Sequence, residues 1–192
     1  MANAPVVVPV PVSLGTLPPV DDKGRLLVVI EAAAGSRNKL KFDPATGVLA
    51  LHTMLPLGAS FPYAFGFVPS TLGEDGDPLD VMVFLDEQVP PGVVVPCRLV
   101  GVILATQTKD GAIMRNDRLL AVAEKSHAYR RVQALADLDR SVLCEIERFF
   151  QFYNAQKGEE FTPIGRQGAK RAESLVRKGN RAFASGAASK GP

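Results

Sequence analysis

The segment Glu74-Asp75-Gly76-Asp77-Pro78-Leu79-Asp80 concentrates the chain's most reactive chemistry. Six acidic residues and no basic one lie between Glu74 and Glu87. Asp75 and Asp77 are two apart, so on extended backbone their carboxylates point the same way. Gly76 lets the chain bend between them, and Pro78 removes an N–H that sheet pairing would need. Carboxylates brought together repel, by up to about 4 kcal/mol per pair at 4 Å and an effective dielectric of 20. A bound hard cation removes that cost, and oxygen-only donors favour Mg²⁺, Mn²⁺ or Ca²⁺ over zinc. An exposed acidic turn with splayed side chains relieves the same repulsion, and the motif alone leaves both arrangements open. It is not an EF-hand, because Leu79 and Asp80 stand where that loop needs a ligand and a glycine. No GxxxxGK[ST] phosphate loop occurs.

The elements that must position this segment read as strands first and helices later. With 46% hydrophobic and 22% charged residues, the 192-residue chain is globular and long enough for one real core. Short branched and aromatic runs predict strands at Leu26–Glu31, Lys39–Phe42, Val48–His52, Phe65–Val68, Val81–Leu85, Val93–Leu104 and Arg118–Val122. Leu143, Ile146, Phe150 and Tyr153 then mark one face of a helix, with Asp139 or Ser141 as its cap and Gly158 past its end. Ala169, Ala172, Leu175 and Val176 suggest a second, more basic helix. The predicted class is α+β, a small barrel with helices packed on it.

Residues 1–20 read as an extended, proline-broken N-terminal arm, 21–182 as one domain and 183–192 as a flexible tail. Cys97 and Cys144 are far apart, so neither a disulfide framework nor a cysteine zinc site is expected. No run approaches a membrane span of roughly 20 apolar residues. A reducing, cytoplasmic compartment is the expectation.

Phe61-Pro62-Tyr63-Ala64-Phe65-Gly66-Phe67-Val68-Pro69, Thr71-Leu72 and Asp75-Gly76-Asp77-Pro78-Leu79-Asp80-Val81 together resemble the signature of family I soluble inorganic pyrophosphatases. Val29-Ile30-Glu31 with Gly35-Ser36-Arg37-Asn38-Lys39, Pro91-Gly92 with Arg98 to Gly101-Val102, and Phe149-Phe150 with Tyr153 extend the likeness over roughly residues 25–180. The resemblance implies an OB-like five-stranded β-barrel with flanking α-helices. It implies hydrolysis of pyrophosphate to two phosphates with Mg²⁺, or Mn²⁺ in its place. Asp75 and Asp80 would hold metals flanking the attacking water, and Asp77 would be its general base. Glu31 would steady a further metal through water. Lys39, Tyr153 and the cation Arg118 would meet phosphate oxygens. A homo-oligomer is implied, a hexamer among compact bacterial members.

Several family positions are substituted. An aspartate is replaced by Gln107, and an Asp-x-Lys by Asn116-Asp117-Arg118. An Asp-Arg is His52-Thr53, a Lys-Tyr-Glu is Lys39-Leu40-Lys41, a second tyrosine is Phe65, and a lysine is Asn154. Asp110 or Asp117 is the carboxylate available to replace a lost metal ligand. Lys41, Arg118 and Arg37 are available to restore charge. Two readings therefore compete: an active pyrophosphatase, and a degenerate paralogue that binds metal or a phosphorylated ligand with little turnover. Tyr153 reads as ligand or core, and Lys39 as substrate lysine or ordinary edge-strand lysine. The C-terminal excess of Arg166, Lys170, Arg171, Arg177, Lys178, Arg181 and Lys190 over Glu173 suits a solvated face docked on an acidic body. It also admits an OB-type nucleic-acid binder, but the aromatic platforms such binding uses are scarce, with no tryptophan and three tyrosines.

Overall fold

The computed structural model describes residues 13–188. Nine strands form: β1 Leu26–Ala32, β2 Asn38–Asp43, β3 Val48–Met54, β4 Ala64–Phe67, β5 Asp80–Phe84, β6 Val94–Lys109, β7 Ala112–Arg115, β8 Arg118–Ala123 and β9 Glu160–Gly168. The helices are α1 Arg140–Ala155 and α2 Ala169–Ala188. β1 pairs with β4, β4 with β5, β5 with β8, β8 with β6, and β6 returns to β1. Five strands thus close a ring without edges, which is the expected OB-like barrel. Only the β5–β8 pairing is parallel among these.

Alternation along the strands divides the core in two. Met82, Phe84, Leu120 and Val122 join Phe61, Phe65, Ile146 and Phe150 in a cluster under α1. Val81, Val83, Leu119 and Ala121 join Val28, Ile30, Ala172 and Val176 in a cluster under α2. At Gly66 the β1 and β4 backbones touch so closely that a Cβ would lie 2.0 Å from the Val29 carbonyl oxygen. No side chain fits there.

The seven anticipated strands are present, and two more were not anticipated. β6 runs on to Lys109 and pairs with β7 and β9 beyond the barrel. The segment between Thr106 and Arg118 is therefore a hairpin. Asp110 (φ 50°) and Gly111 (φ 77°) supply the left-handed pair that a tight two-residue turn requires. β2 and β3 form a separate two-stranded sheet.

α1 begins at Asp139, whose side chain accepts from Ser141 N, and Gly158 (φ 73°) follows it. α2 continues to Ala188, so residues 183–188 are helical rather than tail. Residues 13–20 are not a free arm either. Leu14 packs on the Phe42 and Phe67 cluster, and the Gly15 carbonyl accepts from Ser70 N. The extended arm expected over residues 1–12, and the tail over 189–192, lie outside the described residues. Among the described residues no helix is long and apolar enough to cross a membrane.

Candidate functional site

The loop from Ser70 to Pro78 is held from below. Thr71 is buried; its hydroxyl donates to the Val68 carbonyl (2.6 Å) and accepts from Leu79 N (3.0 Å). Gly73 N donates to the Asp77 carbonyl (2.7 Å), and Gly76 takes φ 84° between the two aspartates. α2 braces the loop: Leu72 N reaches the Gly179 carbonyl, Asn180 the Ser70 carbonyl, and Lys178 the Glu74 carboxylate (2.8 Å). The basic C-terminus is thus docked on the acidic loop.

This loop forms one wall of a cleft of about 310 Å³. Asp75, Asp77 and Asp80 all line it, with Glu31 from β1. Facing them are Lys39 and Lys41 from β2, Arg118 from β8, and Tyr153 and Lys157 from α1 and its C-terminal end. The resemblance-derived residues Glu31, Lys39, Asp75, Asp77, Asp80, Arg118 and Tyr153 therefore converge. Asp117 does not line the cleft. On extended chain neighbouring side chains alternate, so Asn116 and Arg118 enter it while Asp117 turns away. Its Oδ1 accepts from Ala105 N (3.0 Å) and Arg115 (2.5 Å), and it lines a small adjoining cavity that shares Asp75, Asp80 and Asn116 with the cleft. Asp110 sits at the β6–β7 turn and does not line the cleft. Arg37 does not line it either; its guanidinium donates to the Leu55 carbonyl (3.0 and 2.7 Å).

The electrostatics is paired but incomplete. Lys41 Nζ lies 2.7 and 2.8 Å from the two Asp77 oxygens. Arg118 is buried, lies 2.7 Å from Asp80 Oδ2, and sits over the contacting rings of Phe150 and Phe161 (4.9 and 5.3 Å to the centroids). It also donates to the Asn116 side-chain oxygen. Asn116 donates to Gln107 (2.6 Å), and Gln107 donates to Glu159 (2.6 Å). The two amides thus join Arg118 to Glu159 in a fixed relay. Lys109 and Lys157 lie 3.8 and 4.0 Å from Glu159. Sequence reasoning missed Glu159, because the strand it precedes, β9, was not foreseen.

Among the described residues three buried donors are left over, two of them at the cleft and the third, Arg98 Nε, away from it. The Tyr153 hydroxyl and Arg118 Nε are buried and have no hydrogen-bond partner among the described residues. A buried unsatisfied donor costs about 1–3 kcal/mol, so such groups at a cleft point to a ligand acceptor. Lys39 Nζ lies 4.9 Å from the Phe65 centroid and 5.9 Å from that of Tyr153. Burial opposes its charge, but Asp80, Tyr153 and Glu31 more than offset this and raise its pKa above the usual lysine value.

Does the donor set suit a metal? Glu31, Asp75, Asp77 and Asp80 offer only hard oxygens. Burial, then the neighbouring Asp80, raises the Asp75 pKa, a sign of negative charge left unrelieved. That chemistry fits Mg²⁺ or Mn²⁺. Yet among the described residues no three carboxylates, histidines or cysteines already form a ligand group. Asp77 and Asp80 are instead turned onto Lys41 and Arg118.

Glu31 gives a pH prediction. It is 5% exposed, and its Oε1 accepts from Phe42 N (3.0 Å). Burial raises its pKa from 4.5 to about 7, with Lys39 pulling it down and Asp80 pushing it up. The folded state therefore keeps a proton that the unfolded chain loses. The resulting stability is full below about pH 4.5 and is lost as pH rises through about 7, by at most ~3 kcal/mol. Urea midpoints of the metal-free protein should fall across this window, and those of Glu31→Gln should not share that component. Parallel profiles would refute the assignment.

Fold and cleft together define a small barrel protein whose cleft sets lysines and an arginine against a group of carboxylates. The inorganic pyrophosphatase family model matches residues 28–184. The chain is 35% identical to an inorganic pyrophosphatase of a Nostoc species over 170 residues, 88% of this chain and 98% of that one. It is 37% identical to one of Thermus thermophilus over 164 residues, covering 83% and 91% of the two chains. A Thermus thermophilus pyrophosphatase crystal structure superposes with a TM-score of 0.81 at 34% identity, covering 90% and 99%. One from Neisseria gonorrhoeae gives 0.78 at 28%, covering 87% and 96%. The chain belongs to the inorganic pyrophosphatase family.

Proposed function

We propose that the cleft hydrolyses inorganic pyrophosphate to two phosphates with Mg²⁺, or Mn²⁺ in its place. The observation that carries this is the juxtaposition in one cleft of four carboxylates with Lys39 and the unpartnered Tyr153 hydroxyl. Asp75 and Asp80 would hold the ions, with Glu31 behind them. A bound divalent ion supplies charge against the diphosphate and lowers the pKa of a coordinated water.

The chain's own groups do the rest. Asp77 accepts the proton of the attacking water as its oxygen bonds to one phosphorus. The bridging P–O bond breaks, and the second phosphate leaves with the electron pair and takes up a proton. Lys39 and the Tyr153 hydroxyl hold phosphate oxygens, which sets the line of attack. Arg118 fixes Asp80 and offers its free Nε to the substrate. Asp117, expected among the ligands, is left out of this set.

Colorimetric phosphate release tests the reading. Pyrophosphate with Mg²⁺ should yield two phosphates per molecule, and EDTA should abolish the reaction. No release at any Mg²⁺ or Mn²⁺ concentration overturns it in favour of a binding-only paralogue. The same proposal includes a cytoplasmic setting, supported by the unpaired Cys97 and Cys144. It includes a homo-oligomer, a hexamer by the resemblance, supported by Ile113 (72% exposed) on β7 and Ile164 (53% exposed) on β9.

A further inference from the structure

Lys39 and Lys41 both enter the cleft from β2 but have different surroundings. Lys39 sits against the rings of Phe65 and Tyr153. Lys41 reaches across to the acidic loop and places its ammonium between both oxygens of Asp77, at 2.7 and 2.8 Å. Any divalent ion approaching Asp77 meets that ammonium first. The contact is also open to water: the two side chains are 40% and 50% exposed. Exposed pairs hold their partners by only about a factor of two to five, so this one breaks readily. Among the described residues it is the one ion pair between the β2–β3 hairpin and the acidic loop. The hairpin is secured separately near its turn, by Phe42 N on Glu31 and by the Phe42 ring stacked on Phe67. Lys41 can therefore move on its four-carbon stem without disturbing the hairpin. It also stands where the family resemblance places a carboxylate.

We infer that Lys41 is a resident, exchangeable cation: it neutralises Asp77 in the ligand-free protein, is displaced from that carboxylate when a divalent ion loads beside it on Asp75 and Asp80, and takes up phosphate oxygens of the diphosphate. The inference rests on the proposed pyrophosphate reading. The exchange has a direct electrostatic logic. A doubly charged ion outcompetes an ammonium for the carboxylate, and the released ammonium then has a dense anion beside it. Metal and substrate loading are thereby coupled, because each removes the other's competitor.

Isothermal titration with MgCl₂ alone, on the full chain and on Lys41→Met, tests the first half. The substitution removes the competing ammonium, so Mg²⁺ should bind roughly three- to tenfold tighter. Steady-state phosphate release tests the second half. The KM for Mg-pyrophosphate should rise about tenfold or more with the lost charged contact, and Lys41→Arg should restore most of it. A purely structural lysine would not tighten metal binding while weakening substrate. Unchanged or weaker Mg²⁺ affinity in Lys41→Met overturns the inference, as does an unchanged KM. Thermal midpoints verify folding, and Lys41→Gln repeats the test if the methionine variant is not tolerated. Wild-type protein that neither binds Mg²⁺ nor releases phosphate overturns the pyrophosphate reading and this one together. An active wild type whose Lys41 variants bind metal no tighter overturns only this one. Mg²⁺ binding detected in Lys41→Met but not in a wild type that still releases phosphate supports it.

Discussion

Asp77→Asn is expected to lower kcat for pyrophosphate by about 10²–10⁴, the range for loss of a positioned proton acceptor. The substitution is nearly isosteric, and the loop does not depend on the carboxylate. Its closure uses the Asp77 backbone: the carbonyl accepts from Gly73 N, and the amide donates to Asp75 Oδ1 (3.2 Å). The side chain is half-exposed, and its partner Lys41 is also solvated, so stability should move by less than about 1 kcal/mol. Substrate is held by other residues, so KM should change little while kcat and kcat/KM fall together. That pattern marks an interaction made in the transition state alone. Rates within tenfold of wild type would remove Asp77 as the base and shift that role to Asp75.

The barrel was legible because its strands alternate and are bounded by turn residues. The acidic loop was legible because six carboxylates without a cation are rare in a globular stretch. β7 and β9 were not. β9 carries Pro163, Gly165 and Gly168, which punctuate a sequence as a loop does, and its pairing comes entirely from the long strand β6. Asp110-Gly111 between Thr106 and Arg115 was a usable hairpin signal. Asp117 was expected among the metal ligands; its carboxylate accepts from Ala105 N and Arg115, partners that residue spacing alone does not reveal.

The amide relay could not be read from sequence. The hairpin signal at Asp110-Gly111 would have brought Gln107 near Asn116, but Glu159 comes from a distant part of the chain, and nothing in the spacing announces its contact. Where the resemblance places two carboxylates, the cleft holds two amides fixed between Arg118 and Glu159. The positions are therefore filled and hydrogen-bonded rather than vacant. Charge of both signs is reduced: amides stand for two carboxylates, Thr53 and Asn154 for an arginine and a lysine, and only Lys41 is a gained cation.

Arg118 is the buried counter-charge of Asp80, and Arg118→Met should destabilise the metal-free protein by about 3–5 kcal/mol. Its side chain is 4% exposed and that of Asp80 is 17%, so removing the guanidinium leaves a carboxylate largely out of water with no counter-charge. Methionine covers the Phe150 and Phe161 rings but cannot replace the cation over them. Asn116 also loses a donor. Chemical denaturation of Arg118→Met, Asp80→Asn and the double variant gives the coupling. The double variant should recover much of the loss, because the stranded charge is gone. Mg²⁺ should stabilise Arg118→Met more than wild type, since the ion can supply the charge that the side chain no longer brings. A loss under about 1 kcal/mol, or no recovery in the double variant, would mean that the Asp80–Arg118 pair does not organise this wall of the cleft.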